Sequence, residues 1–118
     1  MNQFIKNMTN AESIEFSDIV NAILSEVDAE KVILFGSYAR GDNTHSSDLD
    51  LLIIEKGKFS KQRSRWNEVI KIRKALKKFT IPKDILVFSE DEVSYWKDSL
   101  NHIIPACLKE GIVLYEIS

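Results

Sequence analysis

The stretch LFGSYARGDNTHSSDLDLLI, residues 34–53, decides how this chain is read. It passes from an apolar run through Gly36-Ser37 to two aspartates set among leucines, Asp48 and Asp50. Aspartate is depleted in strands, because a carboxylate taken out of water must find a cation or donors. Side chains two apart in a strand leave the same face, so Asp48 and Asp50 are expected to point the same way, with Cα atoms about 7 Å apart. Two such carboxylates repel unless a proton or a cation lies between them. Mg²⁺ takes oxygen ligands of this kind together with substrate phosphates. Gly36-Ser37 supplies the other half. Where a strand turns into a helix, free N–H groups and the helix dipole make an anion site. Ser37 adds a hydroxyl, and glycine lets a phosphate approach the backbone. Phosphate cradle and metal site, joined by a ten-residue connection, describe a magnesium–nucleotide site.

Two common phosphate motifs are excluded. GSYARGDN has the G-x-x-x-x-G spacing of a P-loop, but Asp42-Asn43 stand where Lys-Ser/Thr are required. No G-x-G-x-x-G occurs anywhere in the chain.

Outward from this centre, the apolar spacing of Ile19, Val20, Ile23, Leu24 and Val27 predicts a helix over about 17–28, with Ser17 as its N-cap. KVILFGS (31–37) and DLDLLII (48–54) read as strands. Trp66, Val69, Ile72, Leu76 and Phe79 form one apolar stripe of an amphipathic helix over about 61–79. KDILVF (83–88) is a third strand, and Ser89 with Glu92 has the spacing of a capping box, so a helix is expected from Glu90. Pro105 is expected to break or restart that helix, Gly111 to end it, and IVLYE (112–116) to form a last edge strand. The fold class is α/β (α+β): a small mixed sheet with helices against one face.

The 118 residues suit a single domain spanning 1–118, without repeats or linkers. No apolar run approaches the length of a membrane span. The opening MNQFIKNMTNAESIEF lacks the basic start and apolar core of a signal peptide, and Cys107 is the only cysteine. A cytoplasmic protein without disulfides is expected. The net charge of −2 is unevenly spread: −6 over residues 1–50, +9 over 51–83 and −5 over 84–118. The basic block suits either a phosphate-bearing ligand or acidic partner, or a solvated Lys/Arg-rich helix face. His45 and His102 read as ordinary polar residues, Cys107 as packed in the last helix, and Tyr38, Trp66, Tyr95 and Trp96 as core or interface.

Gly36-Ser37, ten residues, then Asp48-Leu49-Asp50 resembles the G-S-x10-D-x-D signature of the DNA polymerase β-like nucleotidyltransferase superfamily. The wider GSYARG…SDLDLLI is similar to its minimal (MNT) branch, including the antitoxins of HEPN/MNT toxin–antitoxin pairs. The resemblance implies a third carboxylate on a neighbouring strand, and Asp84 in PKDILVF matches it by position. It also implies two Mg²⁺ ions held by Asp48, Asp50 and Asp84 as metal ligands and catalytic residues, Asp84 serving the attacking hydroxyl as base. Gly36, Ser37 and Arg40 would bind the triphosphate of ATP, with Arg40 open to a purely structural role.

A chain of this length holds little beyond the catalytic fold, so the acceptor must come from a dimer mate or a separate partner. The resemblance implies AMP transfer from ATP to a tyrosine hydroxyl of a HEPN-type toxin. The alternatives are a stand-alone transferase for a small hydroxylated molecule, completed by homodimerisation, and a non-catalytic nucleotide- or partner-binding module. Nucleic acid is disfavoured as acceptor, because the flanking segments are acidic and aromatic and basic residues do not interleave.

Overall fold

The structure, a computed structural model, describes residues 16–117. In chain order the elements are α1 (Phe16–Leu24), β1 (Ala29–Phe35), α2 (Gly36–Arg40), β2 (Leu49–Glu55), α3 (Arg65–Ala75), β3 (Lys83–Ser89), α4 (Glu90–Trp96), α5 (Ile103–Glu110) and β4 (Ile112–Glu116). The strands form one sheet in the order β3-β2-β1-β4. β1 runs antiparallel to β2 and to β4, whereas β2 and β3 are parallel. The sheet is therefore mixed, as expected, with β4 at an edge. The parallel pair needs a crossover, and α3 is that crossover.

Alternation along the strands sorts the core into two clusters. Val32, Leu34, Leu49, Leu51, Ile53, Ile85 and Val87 pack on one face with Phe16, Ile19 and Ile23 of α1 and Ile72 of α3. Ile33, Leu52 and Ile54 pack on the other with Ile104 and Cys107 of α5, beside Val93 and Trp96 of α4. Helices thus cover both faces of the sheet rather than one. The physical reason lies in β2, whose run Leu51 to Glu55 is buried without a break, and a strand buried at successive positions needs a layer on each side.

The local signals behave as their chemistry demands. Ser89 and Glu92 close the predicted capping box: the Ser89 N–H donates to Glu92 Oε1 at 3.0 Å, and the Glu92 N–H donates to Ser89 Oγ at 3.4 Å. Ser64 caps α3 by accepting from the Asn67 N–H at 3.2 Å. α1 begins at Phe16, so Ser17 lies inside the first turn and is not its cap. The break expected at Pro105 falls earlier, between Trp96 and Ile103. Pro105 sits in the first turn of α5, where its missing N–H has no intrahelical partner to lose. His102 caps α5, its Nδ1 accepting from the Ile104 N–H at 3.1 Å, and its ring stacks on Trp96 with centroids 4.4 Å apart.

Two positions on α3 depart from the predicted stripe. Trp66 is 70% exposed, while Glu68 is only 2% exposed. Glu68 lies against Glu55, the fully buried last residue of β2. Arg63 Nη1 donates to Glu55 Oε1 at 2.9 Å, and Lys71 Nζ lies 3.1 Å from Glu68 Oε2. A helix can bury a carboxylate here because a second carboxyl and two cations surround it.

Candidate active site

β1 ends at Phe35 in extended backbone, and the chain then turns through Gly36 with φ of 73°. L-residues with side chains rarely adopt that conformation. The turn also leaves no space for a side chain. A Cβ on Gly36 would overlap the Asp50 carboxylate and lie 3.0 Å from its Cγ. Glycine is therefore required twice over, by its backbone and by the acid packed against it. The five-residue α2 follows and ends at Gly41, whose N–H donates to the Ser37 carbonyl at 2.9 Å. Tyr38 anchors α2 in the core, whereas Ser37 is half-buried and Arg40 exposed.

The connection to β2 is a polar turn. The Thr44 N–H donates to Ser47 Oγ at 2.8 Å, and the Ser47 N–H donates to the Thr44 carbonyl at 3.1 Å. Asp48 follows this turn, exposed, one residue ahead of β2, and so is not in the strand itself. The Leu49 N–H then donates to the Pro82 carbonyl at 2.8 Å, which ties the start of β2 to the start of β3.

Three strands meet in one row. Phe35 pairs with Asp50 across the antiparallel ladder, and Asp50 pairs with Asp84 across the parallel one. Paired residues share a face, and neighbouring strands lie about 4.8 Å apart. Asp50 and Asp84 are thus lateral neighbours on the face that carries α4 and α5. Burial pushes the Asp50 carboxyl above its ordinary value, repulsion from Asp84 and then Asp48 adds to the rise, and Arg40 opposes it. Gly36 abuts Asp50 and Asp50 pairs with Asp84, whereas Asp48 acts on Asp50 through its charge. Arg40 acts on Asp50 at longer range while its Nε pairs with Asp42 Oδ2 at 3.2 Å. Cys107 is packed in α5 as expected, and its thiol is pushed up to about 11, first by burial and then by the charge of Asp50.

Among the described residues no three Asp, Glu, His or Cys side chains converge into a preformed metal cage. Mg²⁺ does not require one, since it is typically held by one or two carboxylates, substrate phosphates and water. The donor set fits it: all-oxygen, with a half-buried Asp50 destabilised by two further carboxylates that a cation would relieve.

Comparison with known proteins gives the same direction. A family model described as a nucleotidyltransferase domain matches residues 15–113. A provisionally assigned protein adenylyltransferase from Methanocaldococcus jannaschii is 38% identical over 73 residues, covering 62% of this chain and 68% of that protein. A solved structure of a provisionally assigned nucleotidyltransferase from Sulfolobus solfataricus superimposes with a TM-score of 0.57 at 24% identity, over 86% of this chain and 77% of that one. A toxin–antitoxin crystallised with AMP-PNP superimposes with a TM-score of 0.58 at 18% identity, over 89% and 76%. At these identities the two solved structures speak for the fold alone.

Proposed function

Since the chain belongs to the nucleotidyltransferase domain family, we propose that it is the antitoxin of a HEPN-type toxin, and that it transfers AMP from ATP to a tyrosine hydroxyl of that partner. The observation that carries the transferase chemistry is the Asp50 carboxylate, packed against a glycine that cannot be replaced without displacing it and paired in register with Asp84. The choice of a protein acceptor rests on the adenylyltransferase assignment of the relative, and the choice of a toxin on the toxin–antitoxin fold neighbour.

In this reading Ser37, the amides after Gly36, and Arg40 grip the triphosphate. Asp48, Asp50 and Asp84 would hold two Mg²⁺ ions, which when bound neutralise charge on the phosphates and lower the pKa of a bound hydroxyl. Asp84, at the edge strand, takes the proton from the acceptor hydroxyl. The hydroxyl oxygen bonds to the α-phosphorus as the bond to pyrophosphate breaks, leaving AMP on the partner. The reaction takes place in the cytoplasm, where ATP is supplied.

The test is label transfer. The protein and its Asp48→Ala/Asp50→Ala variant are incubated with Mg²⁺, α-phosphate-labelled ATP and lysate of the host. A labelled protein band lost with the variant is the expected result, and its mass identifies the partner. A labelled small molecule instead would move the acceptor to a hydroxylated metabolite. No label at all, with no Mg·ATP binding by calorimetry, overturns the catalytic reading.

A further inference from the structure

α3 carries a surface that the transfer chemistry does not use. Trp66 is 70% and Ile70 39% exposed. With exposed Arg73 and Lys77 they stand at i, i+4, i+7 and i+11, which places all four along one side of the helix and of the turn that closes it. Two large apolar side chains in water beside two cations form a patch with no role in the core. Among the described residues neither Arg73 nor Lys77 has an acidic partner, although Arg63, Arg65 and Lys71 of the same segment do.

The stripe leads somewhere. α3 connects the end of β2 to the start of β3, so it runs back along the sheet toward the end where Asp84 begins its strand. There Arg73 and Lys77 line a groove of about 480 Å³ with Phe79, Ile81, Pro82 and Lys83. Lys83 Nζ is held at that rim by donating to the carbonyls of Phe79 at 2.6 Å and Ile81 at 3.0 Å. β3 is an edge strand, and Lys83 adjoins Asp84 in sequence while facing the opposite side of the sheet. A chain lying in the groove has only to pass the open edge of β3 to reach the carboxylates.

We propose that the stripe Trp66–Ile70–Arg73–Lys77 and the groove at its end dock an acidic, extended segment of the acceptor protein beside the active site. The proposal rests on the acceptor being a protein, as argued above. Charge complementarity selects the occupant: residues 51–83 carry a net +9 within a chain of net −2. Ile70 selects a polypeptide over nucleic acid, because an aliphatic side chain gives apolar side chains a contact and gives bases no stacking surface.

Binding is measured without nucleotide, so that docking is scored apart from transfer. A fluorescein-labelled random copolymer of glutamate and tyrosine is titrated with the full chain, and anisotropy is followed. The expected result is saturable, salt-sensitive binding that Arg73→Glu/Lys77→Glu weakens at least about tenfold. Trp66→Ala should weaken it as well, with both variants keeping the wild-type melting temperature and Mg·ATP affinity. Copolymer binding that persists in Asp48→Ala/Asp50→Ala, even where no label is transferred, supports the docking surface and places any failure in the chemistry. Equal binding by the charge-reversed variant overturns the proposal. So does tighter binding of oligouridylate through the same residues, which would make the surface a nucleic-acid site.

Discussion

At the scale of single residues the site depends on what Gly36 lacks. Its φ of 73° and the Asp50 carboxylate against its Cα both exclude a side chain. Gly36→Ala should cost about 1–2 kcal/mol from the left-handed backbone alone. It should also displace Asp50, and a misplacement near 1 Å at a reacting centre lowers rates by about a hundredfold. Thermal melting and label transfer on one preparation check both effects. An active variant with near wild-type rate would mean that Asp50 is not held by this contact. Asp84 makes the complementary case. It is exposed at the start of an edge strand, where Asp84→Asn changes charge but little packing. Transfer should fall by at least about a hundredfold, the lower end for loss of a proton-transfer group, while the melting temperature stays constant. Unchanged transfer would remove Asp84 from the chemistry.

At the scale of elements, local signals were legible and the choice of neighbours was not. The apolar runs of β1, β2 and β3 and the Ser89–Glu92 capping box are written in adjacent residues, so they could be read directly. Gly36, Asp48 and Asp50 were legible because their spacing maps onto one strand–turn–strand unit. The overlap of Gly36 with Asp50 was not, since it depends on which strands pair. Trp66 was read as core or interface, and its 70% exposure takes it out of the core. The burial of Glu55 and Glu68 was not legible, because no pattern in sequence shows that β2 and α3 bury them together.

That buried pair carries a prediction about pH. Burial, and then a hydrogen bond and repulsion with Glu68, push the Glu55 carboxyl from 4.5 up to about 8, against the pull of Arg63 and Lys71. Glu55 Oε2 is buried without a hydrogen-bond partner among the described residues. A group whose folded pKa is raised contributes stability that is complete below its unfolded value and is lost as pH rises through the folded one. Between pH 4.5 and 8 the folded chain holds a proton that the unfolded chain has released, so stability should decline across that window. Glu55→Gln cannot ionise and should escape the decline. The fall in melting temperature from pH 5 to pH 8.5 should be smaller in the variant by at least about 4 °C, the shift that 1 kcal/mol produces in a domain of this size. Parallel profiles would show that Arg63 already neutralises the pair.

At the scale of the whole molecule, the candidate active site is assembled across the sheet, from the end of β1 and the starts of β2 and β3. Its geometry therefore lasts only as long as the sheet does. The two apolar clusters share the strands, with Leu51 and Ile53 in one and Leu52 and Ile54 in the other, so neither helix layer can be removed without exposing β2. This sharing predicts a single cooperative unit. Cys107, buried in the α5 layer with its thiol pushed up to about 11, is a built-in reporter. It should react with a disulfide reagent at pH 8 only when the chain opens, with an opening free energy equal to that from urea unfolding. Leu76→Ala tests the coupling from the opposite side of the sheet. Leu76 is fully buried in the α1–α3 cluster, and its truncation should cost about 3 kcal/mol. The same loss should appear in the reactivity of Cys107. Labelling that is faster than urea unfolding allows, and insensitive to Leu76→Ala, would mean that α4 and α5 open independently of the sheet.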